Sequence, residues 1–359
     1  MKLLYITNGI NGSGGLERVL SIKASILAED YNYEVSILVL NDAEKDPFYD
    51  FSPKIRFYST DVHGNPIQYI KNYKNGIQRI VDQLQPDVIS VCDDGLKAFF
   101  IPQFLKTNSE IIYERHVSKL IEASSEQGFV KNLLTKSKWV LMEKLAKKFS
   151  KFIVLTEGNK NEWKSLRNLE VVPNPLSFYP DTVSSFENKV VICVGKISYQ
   201  KGQDMLLKAW KIVHEKFPDW RLELYGRADS YFLKTDDLSS KNIYHFPPEK
   251  NIEKKYLDSS IYVMPSRYEG FGMVLIEAMA CGLPCVSFNC NYGPSDIITN
   301  NEDGFLVENG NYIELARRLE SLISSSDLQK KMGSAGRENV KKYLPEIIAK
   351  DWDDLLKKL

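Results

Sequence analysis

Two glutamates stand eight residues apart in the segment Ser266-Arg267-Tyr268-Glu269-Gly270-Phe271-Gly272-Met273-Val274-Leu275-Ile276-Glu277-Ala278-Met279-Ala280. Carboxylates accept hydrogen bonds from the hydroxyls of a sugar or a ribose. Residues 261–264 have strand character, 265–272 are loop-like, and 273–280 are rich in helix formers. Glu269 is then expected at the mouth of a site and Glu277 about two turns down the helix. Backbone N–H groups at the helix start, near Phe271 to Met273, lack intrahelical partners and suit an anion such as a diphosphate. One segment thus carries the groups that hold a nucleotide sugar.

A second strand-to-helix turn supplies cations. Val190-Val191-Ile192-Cys193-Val194-Gly195 reads as a buried strand, and Lys196-Ile197-Ser198-Tyr199-Gln200-Lys201-Gly202 leads into a helical pattern over 203–214. Lys196 and Lys201 flank that turn, and ammonium groups make charge-assisted contacts with phosphate oxygens; the plain alternative is a pair of solvated surface lysines. His116, in Tyr113-Glu114-Arg115-His116, follows a buried strand at its C-terminal end, the ligand-binding edge of an open α/β sheet. A lone histidine elsewhere is more often structural. Gly12-Ser13-Gly14-Gly15 precedes a helix starting near Leu16. A Gly-x-Gly-x-x-Gly begun at Gly12 would need glycine where Glu17 stands, so NAD is not an expected cofactor.

These residues need elements to position them. Strands are expected at 2–7, 34–40, 54–58, 87–92, 110–113, 152–155 and 170–172. A second set follows at 189–194, 221–225, 243–246, 261–264, 284–288 and 304–307, alternating with helices in both halves. The alternation predicts an α/β protein of two parallel-sheet, Rossmann-like domains. A length of 359 residues exceeds the ~250–300 at which one core stops growing, and 43% apolar residues can fill two. Pro173-Asn174-Pro175 and the polar run 179–188 mark a linker. The expected division is 1–173, linker 174–188, and 189–344. The tail 345–359 carries apolar residues at helical spacing after a proline break.

Lys+Arg 47 against Asp+Glu 47 leaves no net charge and no general attraction to nucleic acid. The five cysteines read as reduced, buried thiols. The run Cys281, Cys285, Cys290 lacks Cys-x2-Cys spacing and a nearby histidine, so no metal is expected. The N-terminus enters a strand without an apolar leader, and no apolar run approaches the ~18–20 residues of a membrane span, so a cytoplasmic location is expected. Charge gathers locally in 129–151, which holds seven lysines and one glutamate. On a helical wheel Val130, Leu134, Leu141, Leu145 and Phe149 form an apolar stripe, with Lys136, Lys144, Lys147 and Lys151 on another side. The readings are a domain helix with a solvated lysine face, or one that also rests on an anionic membrane.

The chain resembles retaining glycosyltransferases of the GT-B fold, family 4, whose signature Glu-x7-Glu matches Glu269 and Glu277 within Glu-Gly-Phe-Gly and Glu-Ala-Met-Ala-x-Gly-x-Pro text ending at Gly282 and Pro284. Gly14-Gly15-x-Glu17-Arg18, His116, Val172-Pro173-Asn174-Pro175 and Gly195-x5-Lys201-Gly202 match further family features in order. The resemblance implies two domains facing a cleft, with the acceptor on the first and the donor on the second. By resemblance Lys201 meets the donor diphosphate, Glu277 the ribose hydroxyls and Glu269 the donor sugar. Gly195 and Lys196, and Gly270, Phe271, Gly272, Met273 and Val274, surround the donor, and His116 lies near the reaction centre. Gly14 and Gly15 approach the donor from the first domain. Lys196 departs from the commoner arginine; lysine keeps the charge but loses the bidentate fork. Tyr292-Gly293-Pro294-Ser295-Asp296-Ile297-Ile298 is similar to a Gly-Pro-x-Glu-Ile-Ile segment of capsule-type members, or is simply a helix-start turn. The final helix either returns to the first domain, as in the family, or caps the second.

The activity implied is transfer from a nucleotide sugar, with a UDP-sugar expected, to a saccharide or polyprenyl-linked acceptor in bacterial surface polysaccharide assembly. Catalysis then rests on positioning and charge stabilisation, without a cofactor. The alternative from another class is a nucleotide-sugar epimerase of the same fold. A peripheral position on the inner face of the plasma membrane accompanies the first reading.

Overall fold

Both halves of the chain form parallel sheets. The computed structural model describes residues 1–41, 46–60, 62–122, 129–228 and 241–359. These divide into two compact units, Met1–Ser177 with Pro345–Leu359, and Phe178–Leu344. The first unit contains β1 (Lys2–Thr7), β2 (Glu34–Val39), β3 (Arg56–Ser59), β4 (Val88–Cys92), β5 (Glu110–Glu114), β6 (Lys151–Val154) and β7 (Leu169–Val171), in the order β3-β2-β1-β4-β5-β6-β7. The second contains β8 (Val190–Val194), β9 (Arg221–Tyr225), β10 (Ile243–Phe246), β11 (Ile261–Met264), β12 (Cys285–Asn289) and β13 (Gly304–Glu308), in the order β10-β9-β8-β11-β12-β13. Strand ends fall within two residues of the expected bounds. The continuous apolar runs account for this: every residue of β4 and of β11 is buried, as in sheets covered on both faces.

Helices supply the cover. In chain order they are α1 (Gly15–Glu29), α2 (Pro66–Leu84), α3 (Ile101–Phe104), α4 (Phe129–Ala146), α5 (Gln203–Lys216), α6 (Ile252–Leu257), α7 (Met273–Ala280), α8 (Pro294–Ile297), α9 (Tyr312–Ile323), α10 (Ser326–Asn339) and α11 (Pro345–Leu356). Each unit has its own core. Residues of α2, α3 and α4 pack with one sheet around Phe99, Tyr113, Phe152 and Trp163, and α5 and α9 pack with the other around Trp210. Strand order reverses between β1 and β4 in the first sheet and between β8 and β11 in the second, which opens a crevice at the C-terminal strand ends of each.

The last helix belongs to the first unit, where α11 packs on α1. The Trp352 ring, 3% exposed, lies 3.9 Å from Lys23 Nζ, and the Tyr33 hydroxyl donates to Asp353 Oδ1 at 2.7 Å.

The helix α4 departs from its expected orientation. Met142, Leu145, Ala146 and Phe149 are buried and Trp139 packs against them, whereas Leu134 is 65% and Leu141 38% exposed. Leu133 and Val140 are exposed too, and the Val130 side chain lies outside the described part. Trp139 sets the rotation, because its ring meets Trp163 edge-on at 6.3 Å. The lysine grouping changes as well: Lys151 lies in β6 and pairs with Glu170 at 2.6 Å, and the exposed Lys148 joins Lys136, Lys144 and Lys147. No helix among the described residues is long and apolar enough to cross a membrane.

Replacing Trp352 with alanine removes the ring that covers Lys23 and is expected to cost about 3–5 kcal/mol in the first unit. Amide hydrogen exchange reads this by element: α1 should lose protection while β8 to β13 keep theirs. Unchanged exchange in α1 would show that α11 contributes nothing to that core.

Candidate active site

In the second unit, the loops that follow β8 and β11 lie side by side, because those strands pair directly. Gly202 lets the loops touch. Its φ of 68° is left-handed, and a Cβ there would stand 2.0 Å from the Pro265 carbonyl oxygen, so a side chain would force the two backbones apart. Contact is reinforced by Arg267, whose N–H donates to the Gln200 carbonyl at 2.8 Å and whose guanidinium grips Asp204 bidentately at 2.8 and 2.7 Å. The same guanidinium lies 4.0 Å from the Tyr199 ring centroid.

The result is an ion pair. Lys201 Nζ donates to both oxygens of Glu269, at 2.7 and 2.9 Å, and Ser266 Oγ donates to Glu269 Oε1 at 2.6 Å. A third loop fixes the glutamate backbone, through Glu269 N to Asn291 O and Tyr292 N to Glu269 O, both 3.0 Å. Gly272 caps α7 in a left-handed conformation, φ 104°. Glu277 sits on the second turn of that helix, 1% exposed, with the Tyr256 hydroxyl 3.4 Å from its Oε2. Gly195, Lys196, Gly270, Phe271, Met273 and Val274 lie on the same two loops or on the first turn of α7. A cation, a helix start and two carboxylates at one switch point can take a diphosphate and hydroxyls together. Burial pushes the nearby Cys193 thiol up to about 12 and raises that of Cys290 as well, which favours the protonated, unreactive form of both.

In the first unit, His116 follows β5 and is held at two points. Its N–H donates to Asp94 Oδ1 at 3.3 Å, and Arg115 Nη1 donates to the same carboxylate at 3.2 Å. Its ring Nε2 lies 3.3 Å from Glu114 Oε2 with the side chain 6% exposed. Glu114 is in turn paired with the buried Lys23 at 2.5 Å and accepts from Ser90 Oγ at 2.6 Å. Burial alone would raise the Glu114 pKa, but the Lys23 ammonium and the His116 ring outweigh it and hold the carboxyl well below its usual range. Cys92, Glu114 and His116 bring possible metal-ligating atoms within 4.8 Å of one another, yet Lys23 already supplies the countercharge. Gly14 and Gly15 form the cap and first residue of α1, with Gly14 in extended conformation.

Ser266, Arg267 with Asp204, Tyr256, Lys23, Ser90 and Glu114 escaped the sequence reading. Two signals existed. Glu114 stands at the end of a strand two residues before His116, the spacing that puts both on one side where the backbone stays extended. Lys23 continues the helical spacing of Val19, Leu20, Ala24 and Leu27, so a charge sits in a core stripe of α1.

The sequence pattern of glycosyl transferases group 1 matches residues 181–339. An uncharacterised glycosyltransferase of Haemophilus influenzae is 30% identical over 369 residues, covering 99% of both chains. The amylovoran biosynthesis glycosyltransferase AmsD of Erwinia amylovora is 32% identical over 376 residues, again 99% of both. Among solved structures, a mutant form of S. aureus TarM in complex with fondaparinux, alpha-GlcNAc-glycerol and UDP superposes with a TM-score of 0.81 at 16% identity over 99% of each chain. That likeness gives the GT-B fold. The two near-full-length relatives give the family: the chain belongs to the group 1 glycosyltransferases and is a glycosyltransferase.

Proposed function

We propose that this glycosyltransferase moves a sugar from a UDP-sugar, with retention of configuration, to a saccharide or polyprenyl-linked acceptor in bacterial surface polysaccharide assembly. The observation that carries the reading is the Lys201–Glu269 pair beside the start of α7. An entering diphosphate takes over the Lys201 ammonium, which stabilises the leaving nucleotide, and Glu269 is released to the hydroxyls of the donor sugar. Glu277 holds the ribose. His116 acts on the donor sugar, and Gly14 and Gly15 offer backbone N–H groups to the diphosphate. The naming of AmsD for amylovoran biosynthesis and the UDP bound to TarM support the pathway class and the nucleotide. The donor is a substrate, and no resident cofactor or metal takes part. The epimerase alternative draws no support from these relatives.

Lys201→Ala should lose about 1.5–3 kcal/mol of charge-assisted contact, roughly ten- to a hundredfold in kcat/KM, with folding intact. Glu277→Gln should weaken binding of bare UDP by calorimetry. Wild-type constants in both variants would overturn the donor-site assignment.

A thermal-shift screen of UDP-, GDP-, ADP- and dTDP-sugars tests the nucleotide, since a ligand of the native state raises Tm with RT ln(1 + [L]/Kd). UDP-sugars should give the largest shift. A larger response to any other base replaces UDP, and interconversion of a donor incubated alone would restore the epimerase.

The same reading places α4 on an anionic membrane where a polyprenyl-linked acceptor is anchored. Support comes from its outward face and the turn after it: Leu133, Leu134, Val140 and Leu141 are exposed beside Lys136 and Lys144 of the helix and Lys147 and Lys148 just past its end, all four exposed. Each lysine near such a surface contributes about 1 kcal/mol. Wild type should co-sediment with anionic vesicles at low salt and leave them at high salt, and the four Lys→Gln changes should abolish pelleting. Equal pelleting of both proteins removes the membrane contact.

A further inference from the structure

We infer that Glu114 is a positioning residue for His116: it fixes the imidazole proton on Nε2 and so presents Nδ1 as the nitrogen that meets substrate. The inference rests on the reading that His116 works on the donor sugar.

The argument begins with the other ring nitrogen. His116 Nε2 is buried, it has no hydrogen-bonding partner of good geometry, and Glu114 Oε2 stands 3.3 Å away. A bare Nε2 would set its lone pair against an anion in a dry environment. A protonated Nε2 offers that anion an N–H, so the tautomer with the proton on Nε2 is the favoured one. At 3.3 Å the contact is long and off the ideal line, as catalytic hydrogen bonds often are before they tighten in a transition-state complex.

The carboxylate is itself immobilised. Ser90 Oγ holds Oε1 at 2.6 Å and Lys23 Nζ holds Oε2 at 2.5 Å, so neither oxygen can turn away from the ring. Lys23 keeps the group ionised and is packed under Trp352 and Tyr5, with its Nζ 3.9 and 4.9 Å from the ring centroids. Stability is a poor reason for such a pair, because a buried ion pair commonly contributes no more than apolar residues of the same volume. Directing the histidine is a reason that also explains why Oε2 faces Lys23 and His116 together.

The test uses full-length protein labelled with 15N-histidine, in which long-range 1H–15N correlation reads which ring nitrogen carries the proton; His116→Gln assigns the signal. Wild type should show the proton on Nε2. In Glu114→Gln the tautomer preference should be lost, and kcat for transfer from the UDP-sugar found in the screen should fall by about tenfold or more, the low end for a histidine that loses its orienting partner. The calorimetric Kd for UDP should stay within about twofold, since the nucleotide contacts in this reading are assigned to Lys201 and Glu277 and not to Glu114. Should that variant not fold, Lys23→Met with Glu114→Gln removes both charges together and carries the same expectations. A proton on Nδ1 in wild type, or wild-type kcat in the folded Glu114 variant, overturns the inference. His116→Ala separates the two levels: wild-type kcat there removes the role of His116 itself, whereas a loss there beside an active Glu114 variant removes only the role of Glu114.

Discussion

A parallel sheet must be covered on both faces, because its strands are joined by helical crossovers that lie on those faces. What remains for chemistry is the ends of the strands. This constraint shapes both units: Lys201 and Glu269 occupy loops that follow β8 and β11, and His116 follows β5. The candidate residues are therefore spread along the sequence, while the strands of each sheet bring their own ends to one edge of that sheet. The cavity lined by Lys2, Tyr33, Lys54 and Arg56 lies at the opposite edge of the first sheet and gathers none of the candidate residues.

Charge is handled alike in the two units. Each has a lysine against a glutamate near its candidate residues, and in each the glutamate also takes a serine hydroxyl. The difference lies in access. Lys201 retains 23% of its side-chain exposure, so solvent or a ligand can reach the ammonium, whereas Lys23 at 1% is closed off beneath Trp352. An accessible pair can exchange partners at modest cost. A sealed one can only hold its geometry.

Most of the architecture could be read from the sequence because parallel strands are continuous apolar runs, whose signal survives without knowledge of neighbours. The candidate site in the second unit stands out in the sequence for a related reason: Lys201, Glu269 and Glu277 sit just past such runs or in the helix that follows. Two features do not. The wheel of α4 carries apolar residues on more than one side, and partners from distant segments, such as Trp163 against Trp139, decide which side turns inward. The Lys23–Glu114 pair joins residues 91 apart, and no local pattern specifies a pairing of that range. Its two members each broke a local rule, a lysine in a core stripe and a glutamate at a strand's buried end, and such violations are where sequence reading points to a site without explaining it.

The first unit is discontinuous in the chain, since α11 is separated from the rest of it by the whole of the second. During synthesis the residues before 178 leave the ribosome first, and domains fold in that order. Yet Lys23 has its aromatic lid only once Trp352 has emerged. Until then an ammonium destined for the interior has the Tyr5 ring beside it but lacks its Trp352 cover, next to the carboxylate that faces His116. The charge network behind this histidine is thus sealed only after the second unit has been made, and the competence of the first unit is tied to translation having passed through both.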